Sequence, residues 1–220
     1  MISITLIIIV VTVIVSIIGF NNSQVISNLI FYPPAVTEKK QYYRFITCGF
    51  IHADIGHLAF NMISFYLFAN GLVEPKFIDY FGDYGRAALL IMYVMALIVS
   101  LLPTYAKNKM NTEYRSLGAS GAVSAVVFAG IMISPLSQLG FFIIPPIIPG
   151  FIFGPLYLVL SAYLEKRGGD NINHSAHIWG AVFGVIFIIV ATKLYAKDVD
   201  IWTDFIDSIK YYMKTKFNIG

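Results

Sequence analysis

Apolar runs at about Ile2–Phe20, His57–Val73, Ala87–Leu102, Leu117–Ile133, Pro146–Leu164 and Ala176–Tyr195 recur along the 220 residues, each close to the length of a helix that crosses a bilayer. Few folds are open to such a chain. Backbone N–H and C=O groups in hydrocarbon must pair within their own segment, so each run becomes a helix, and six helices with short connections use up most of the sequence. Composition agrees, with 58% of residues hydrophobic and only 12% charged, far from a soluble domain. The expected fold is an all-α integral membrane protein, a six-transmembrane-helix bundle over residues 1–195 followed by a short amphipathic tail at 196–220. The first run has neither a positively charged leader nor an Ala-x-Ala cleavage site, and reads as a retained span. Pro145, Pro146, Pro149 and Pro155 crowd the start of the fifth run, which leaves that start open over several residues.

The longest connection, Asn21 to Gly56, carries Val25, Ile26, Leu29, Ile30 and Phe31, then Tyr42, Tyr43, Phe45 and Phe50. That is too apolar for an aqueous loop and is expected to rest in the membrane interface. In the tail, Ile201, Phe205, Ile209, Tyr212 and Phe217 form a helical stripe. Aspartates precede it and lysines end it, the charge order that favours a helix dipole at a surface. Lysine and arginine divide almost evenly between the two sides, so charge bias does not set the orientation; the lysine-rich tail favours a cytoplasmic C-terminus. A net charge of +3 without a basic stripe argues against nucleic acid. The single cysteine, Cys48, excludes an intramolecular disulfide.

Alternation of six spans brings the starts of the second, fourth and sixth to one face of the membrane. His57 and Asn61 open the second, Ser120 in Gly118-Ala119-Ser120-Gly121-Ala122 opens the fourth, and His177 in Ala176-His177-Ile178-Trp179-Gly180 opens the sixth. Polar groups at that depth are costly without a role. A serine hydroxyl becomes a nucleophile when an imidazole takes its proton, and a helix start offers backbone N–H groups to an oxyanion. His57 and Asn61, four apart on one helical face, add side-chain donors. Gly180 and Gly184 fall at i+3 and i+7 from His177, while Gly118, Gly121 and Ala125 surround Ser120, so small residues on both helices allow close approach. Taken alone, the Gly118–Ala122 stretch reads as a helix-packing patch; the histidine on the matching face makes it a candidate nucleophile site.

At these residues the chain resembles the rhomboid intramembrane serine proteases. The match runs through Arg44, Thr47, Phe50, His52, His57, Asn61, Glu74, Gly118-Ala119-Ser120-Gly121, His177, Gly180 and Gly184, nearly the whole chain, in the compact six-helix form of prokaryotic members. The resemblance implies Ser120 as nucleophile and His177 as base, with His57, Asn61 and the Ser120 amide as oxyanion donors. It implies no cofactor and no metal. The expected location is a bacterial inner membrane, multi-pass, with the site toward the extracytoplasmic side and single-span membrane proteins in the surrounding bilayer as substrates. The chain departs from the family at Ser124, where many members carry an aromatic residue packed on the histidine ring, and at Trp179, where a small residue is usual and a bulky one fits only facing lipid.

Two other readings compete. His52, His57, His174 and His177 all fall on one side, as a metal or haem site would need, yet His-Glu-x-x-His is absent and such a site leaves the Ser120 motif unexplained. A catalytically inactive rhomboid-like adaptor that binds transmembrane helices would have lost Ser120 or His177, and both are present. His52 and His174 read as loop or interface residues without chemistry, and the sequons at Asn21 and Asn173 as fortuitous.

Overall fold

The computed structural model describes residues 3–140, 146–169 and 172–217. Helix α1 (Ile4–Asn21) leads into three short helices, α2 (Ser23–Leu29), α3 (Pro33–Lys39) and α4 (Arg44–Thr47). Helix α5 (Ile55–Phe65) runs through a π-helical segment at Tyr66–Val73 into α6 (Glu74–Phe81), and α7 (Gly85–Val99) and α8 (Leu102–Asn108) return alongside. Then come α9 (Ser120–Ile133), a two-stranded antiparallel ribbon of β1 (Gln138–Leu139) and β2 (Ile148–Pro149), α10 (Gly150–Arg167), α11 (His174–Tyr195) and α12 (Ile201–Phe217).

The protein is mostly helical. Among the described residues, three helical stretches are long and apolar enough to cross a membrane: Ile4–Asn21, Ile55–Asn108 and His174–Tyr195. The second is a hairpin. Gly85 makes its turn possible, because a Cβ there would lie 2.5 Å from the Phe77 carbonyl oxygen and the Ile78 nitrogen. Arg86 Nε pairs with Glu74 at 3.3 Å and Tyr93 meets the Phe65 ring at 5.0 Å, so the two arms run antiparallel. Helix α9, with 14 residues, is shorter. Helix α10 begins at Gly150, after Pro146 and Pro149, because Ile148 and Pro149 are held extended against β1, and it takes Pro155 into its second turn; it ends on Glu165, Lys166 and Arg167, which shortens its apolar part. Pro145 and Ile2 lie outside the described residues.

Helix α1 is inside out relative to a soluble helix. Thr5, Ile8, Thr12, Ser16 and Gly19 are buried, while Leu6, Ile7, Val10, Val11, Ile14, Ile17 and Ile18 are exposed. Apart from Ile8, small and polar residues face protein and branched apolar ones face outward, the arrangement of a helix whose solvent is lipid. Helix α9 is the opposite case: every residue from Gly121 to Met132 except Val127 is buried, as expected for a helix apolar all round at the centre of a bundle.

Glu74 fixes α1 to the hairpin. Its carboxylate accepts the Ser3 and Thr5 hydroxyls, both at 2.6 Å, and the Ile4 and Thr5 amides, both at 3.1 Å, so it caps α1 from another helix. Glu74→Gln should cost about 3 kcal/mol, because a neutral amide accepts through one oxygen only and strands buried donors; the check is thermal unfolding in detergent micelles, where Lys76→Gln on the exposed side is the silent comparison.

The Asn21–Gly56 connection is anchored to protein. Phe31, Val36 and Phe45 enter a small core with Cys48, Leu101 and Ala176, while Tyr42 and Tyr43 face outward. Arg44 holds it, donating to the Ser27 and Ile30 carbonyls at 2.9 and 2.7 Å and to Gln41 at 2.6 Å. Helix α12 lies across the end of the bundle where α9 stops. Ile201 is buried and Tyr212 packs on Phe151 at 5.5 Å, while Trp202 and Tyr211 are exposed.

Candidate active site

Three helix starts converge, and each is fixed locally. Before α9, Phe31 and Ser116 exchange backbone hydrogen bonds at 2.9 and 3.1 Å, and the Gly118 amide donates to the Cys48 carbonyl at 2.9 Å. Gly118 then takes φ 110°, a conformation that side chains with a Cβ rarely adopt. Its absent side chain makes room for His57, whose ring atoms Cε1 and Nε2 would lie 2.7 and 2.9 Å from a Cβ there. Gly118 therefore stands in the loop before α9 and seats an imidazole, rather than joining a helix-to-helix contact.

Asp54 caps α5, accepting the His57 amide at 2.8 Å. One turn on, Asn61 is buried and donates to the His57 carbonyl at 3.0 Å, which leaves its second amide hydrogen for another acceptor. Asn173 caps α11, accepting the Ala176 amide at 3.0 Å and the Thr104 hydroxyl at 3.1 Å, and donates to Ser116 Oγ at 3.4 Å. The start of α11 is thereby tied to the loop that leads into Ser120.

Helices α9 and α11 meet backbone to backbone. A Cβ on Gly180 would run into the Gly121 carbonyl oxygen, and one on Gly184 into that of Ala125. Gly121 also lies against the Ala176 carbonyl, 3.3 Å from where its Cβ would be. Ser120 and His177 each stand one residue from this contact, so the hydroxyl and the imidazole open the two most closely joined helices. Trp179 is on the outer face, 45% exposed. Beside Ser120, a cavity of about 10 Å³ lined by Ser100, Ser116 and Asn173 has space for about one water.

His52, which sequence reading left without chemistry, is 1% exposed and belongs to this framework. Its Nε2 accepts the Ala119 amide at 3.4 Å, which puts the proton on Nδ1, facing Ser16 Oγ at 3.0 Å; that hydroxyl donates to the Phe50 carbonyl at 3.0 Å. His52 thus positions the residue before Ser120. Its ring also meets His57 edge-on at 4.9 Å. The partner is 67 residues away in sequence, and no local spacing signals it.

Burial, with a smaller push from His57 against an opposing pull from Asp54, drives the His52 imidazole down to about 3. The unfolded chain, with an ordinary value near 6.5, binds this proton first. Stability should therefore be complete above about pH 6.5 and fall as pH drops toward 3, by up to about 4 kcal/mol from this group. Unfolding in micelles at pH 7.5 and pH 4 measures the loss, and His52→Gln should shrink it. Burial pushes the Cys48 thiol up to about 12, so it stays protonated and is no nucleophile at neutral pH.

Among the described residues no three His, Cys, Asp or Glu side chains gather as a metal site. The histidines form two pairs, His52 with His57 and His174 with His177, the latter edge-on at 5.8 Å.

A profile of the Rhomboid domain matches residues 39–194. Rhomboid protease GlpG of Haemophilus influenzae is 27% identical over 176 residues, 80% of this chain and 82% of that protein. RHOMBOID-like protein 12, mitochondrial, of Arabidopsis thaliana is 30% identical over 151 residues, 64% of this chain and 44% of that one. Presenilin-associated rhomboid-like protein A, mitochondrial, of Danio rerio is 28% identical over 148 residues, 65% and 36%. The chain thus spans most of GlpG and less than half of the two mitochondrial relatives. The match extends from the connection after α1 to the last turn of α11 and takes in all three helix starts, and on it this integral membrane protein belongs to the rhomboid family.

Proposed function

We propose that the chain is an intramembrane serine endopeptidase that cuts single-span membrane proteins near the extracytoplasmic face, with Ser120 as nucleophile and His177 as base. The carrying observation is the α9–α11 contact, which opens on a hydroxyl in one helix and an imidazole in the other. The imidazole takes the Ser120 proton as Oγ bonds to the scissile carbonyl carbon. Charge then grows on the carbonyl oxygen, where the Ser120 amide, the His57 ring and the Asn61 amide are the available donors. Collapse expels the amine, protonated by His177, and leaves an acyl ester on Ser120, which a water deprotonated by His177 hydrolyses. No step calls for a metal or cofactor.

The six crossings in this reading are α1, the α5–α6 arm, the α7–α8 arm, α9, α10 and α11, forming one membrane domain in a bacterial inner membrane, with α12 on the cytoplasmic surface. At about 1.5 Å per residue, α9 falls short of a hydrocarbon core about 30 Å thick, so Ser120 lies below the bilayer surface.

Purified protein should be labelled by a fluorophosphonate serine probe, and Ser120→Ala should not. A folded wild type that stays unlabelled and cuts nothing would turn the reading to a helix-binding adaptor. A helical substrate hides its carbonyl and must unwind to reach Ser120, so a span with Gly or Pro near its extracytoplasmic end should be cut well ahead of a uniform leucine span. Equal cutting of both, followed on gels, would contradict this.

A further inference from the structure

We propose that Tyr157 of α10 is the residue that orients the His177 imidazole; the inference rests on the reading of His177 as the base. The Tyr157 ring stacks on that of His177, with centroids 6.3 Å apart and planes 25° from parallel, within the range of offset aromatic stacking. Its hydroxyl is bonded to Ser124 Oγ at 3.2 Å. Ser124 lies one turn after Ser120 on α9, too small to reach the imidazole itself, and what it does instead is anchor the ring that does. The aromatic support comes from a neighbouring helix while its anchor remains on the helix of the nucleophile.

The surroundings fix Tyr157 in turn. Phe153, one turn earlier on α10, stacks on it at 6.1 Å, and Phe128 of α9 is tilted against it at 5.8 Å. Gly154 lets α10 come close, since a Cβ there would lie 3.3 Å from Phe128 Cε1. His174 meets His177 edge-on, so the imidazole has a phenol on its face and a second imidazole at 82° to it. A ring held this way has few orientations left, which is what a base needs in order to meet one hydroxyl in one geometry.

The roles of ring and hydroxyl separate by substitution. Tyr157→Leu should lower kcat about 10- to 100-fold with KM little changed, because substrate binding is untouched and only the base loses its orientation. Tyr157→Phe keeps the stack and loses the Ser124 anchor, and should cost only about fivefold, the worth of one neutral hydrogen bond. Adding Ser124→Tyr to Tyr157→Leu supplies a ring from α9 and should recover much of the lost rate. A structural role alone would not give that rescue.

A second readout is independent of proteolysis. The chain has four histidines, so isotope-labelled imidazoles in nanodiscs give few enough NMR signals to assign by substitution. The His177 ring protons should lose their ring-current shift in Tyr157→Leu and keep it in Tyr157→Phe. Wild-type kcat in Tyr157→Leu, or His177 signals that do not move, would overturn the proposal. If the wild type cuts nothing, the endopeptidase reading falls and with it the base, while the NMR comparison still decides whether the stack exists.

Discussion

Ser120→Ala and His177→Ala are each expected to reduce cleavage of a transmembrane substrate by about 10⁴-fold or more, and the double variant to be no worse than either alone. The reason is chemical. Without the hydroxyl there is no acyl intermediate, and without the imidazole the hydroxyl keeps its proton, so either loss removes the same step. Neither side chain fills a core position: both are half-buried at helix starts, and thermal unfolding should move little. The measurement is single-turnover cleavage in reconstituted vesicles, with unfolding followed in parallel. Turnover near wild type in either folded variant would remove these residues from the chemistry, and additive losses in the double variant would show that they act apart.

Gly180→Ala and Gly184→Ala carry the next largest effect, and alanine suffices. The new Cβ would meet a carbonyl oxygen of α9, which belongs to a helix backbone and cannot turn aside as a side chain can. Overpacking typically costs about 1–3 kcal/mol, and the upper end is expected at each site because only separation of the helices relieves it. A shift of roughly 1 Å between hydroxyl and imidazole then costs about a hundredfold in rate. Activity and unfolding temperature should fall together, and fluorophosphonate labelling of Ser120 with them. Ile186→Leu, 54% exposed on the same helix, is the comparison that should be silent. Val185 is a poorer control, being partly buried against two apolar clusters. Full activity in both alanine variants would mean that the two helices are joined elsewhere.

What the sequence made legible was what repeats at short range. Run lengths located α1, α9 and α11 to within a few residues, and the i+3 and i+7 spacing of Gly180 and Gly184 from His177 marked the stripe that lies on α9. Features that depend on long-range placement were hidden. Phe31 and Phe45 were among the residues that gave the first connection the look of an interfacial segment, and their apolarity serves a local core, which Val36 joins. His52 is set by an amide in another loop and a hydroxyl on α1. Tyr157 sits in a helix exposed on much of its surface, where no period singles it out, and the partner of Ser124 lies 33 residues away on that helix.

Where Gly180 and Gly184 of α11 meet α9, the spacing is set by carbonyl oxygens against α-carbons, with no side chain in between. When a bilayer thins or thickens, helices tilt to match it, and side chains at their contacts change rotamer to follow. These two contacts have no rotamers to change. Tilt must be taken up where helices meet through side chains, which can change rotamer to follow it. Ser120 and His177 then ride as one rigid body through membranes of different thickness.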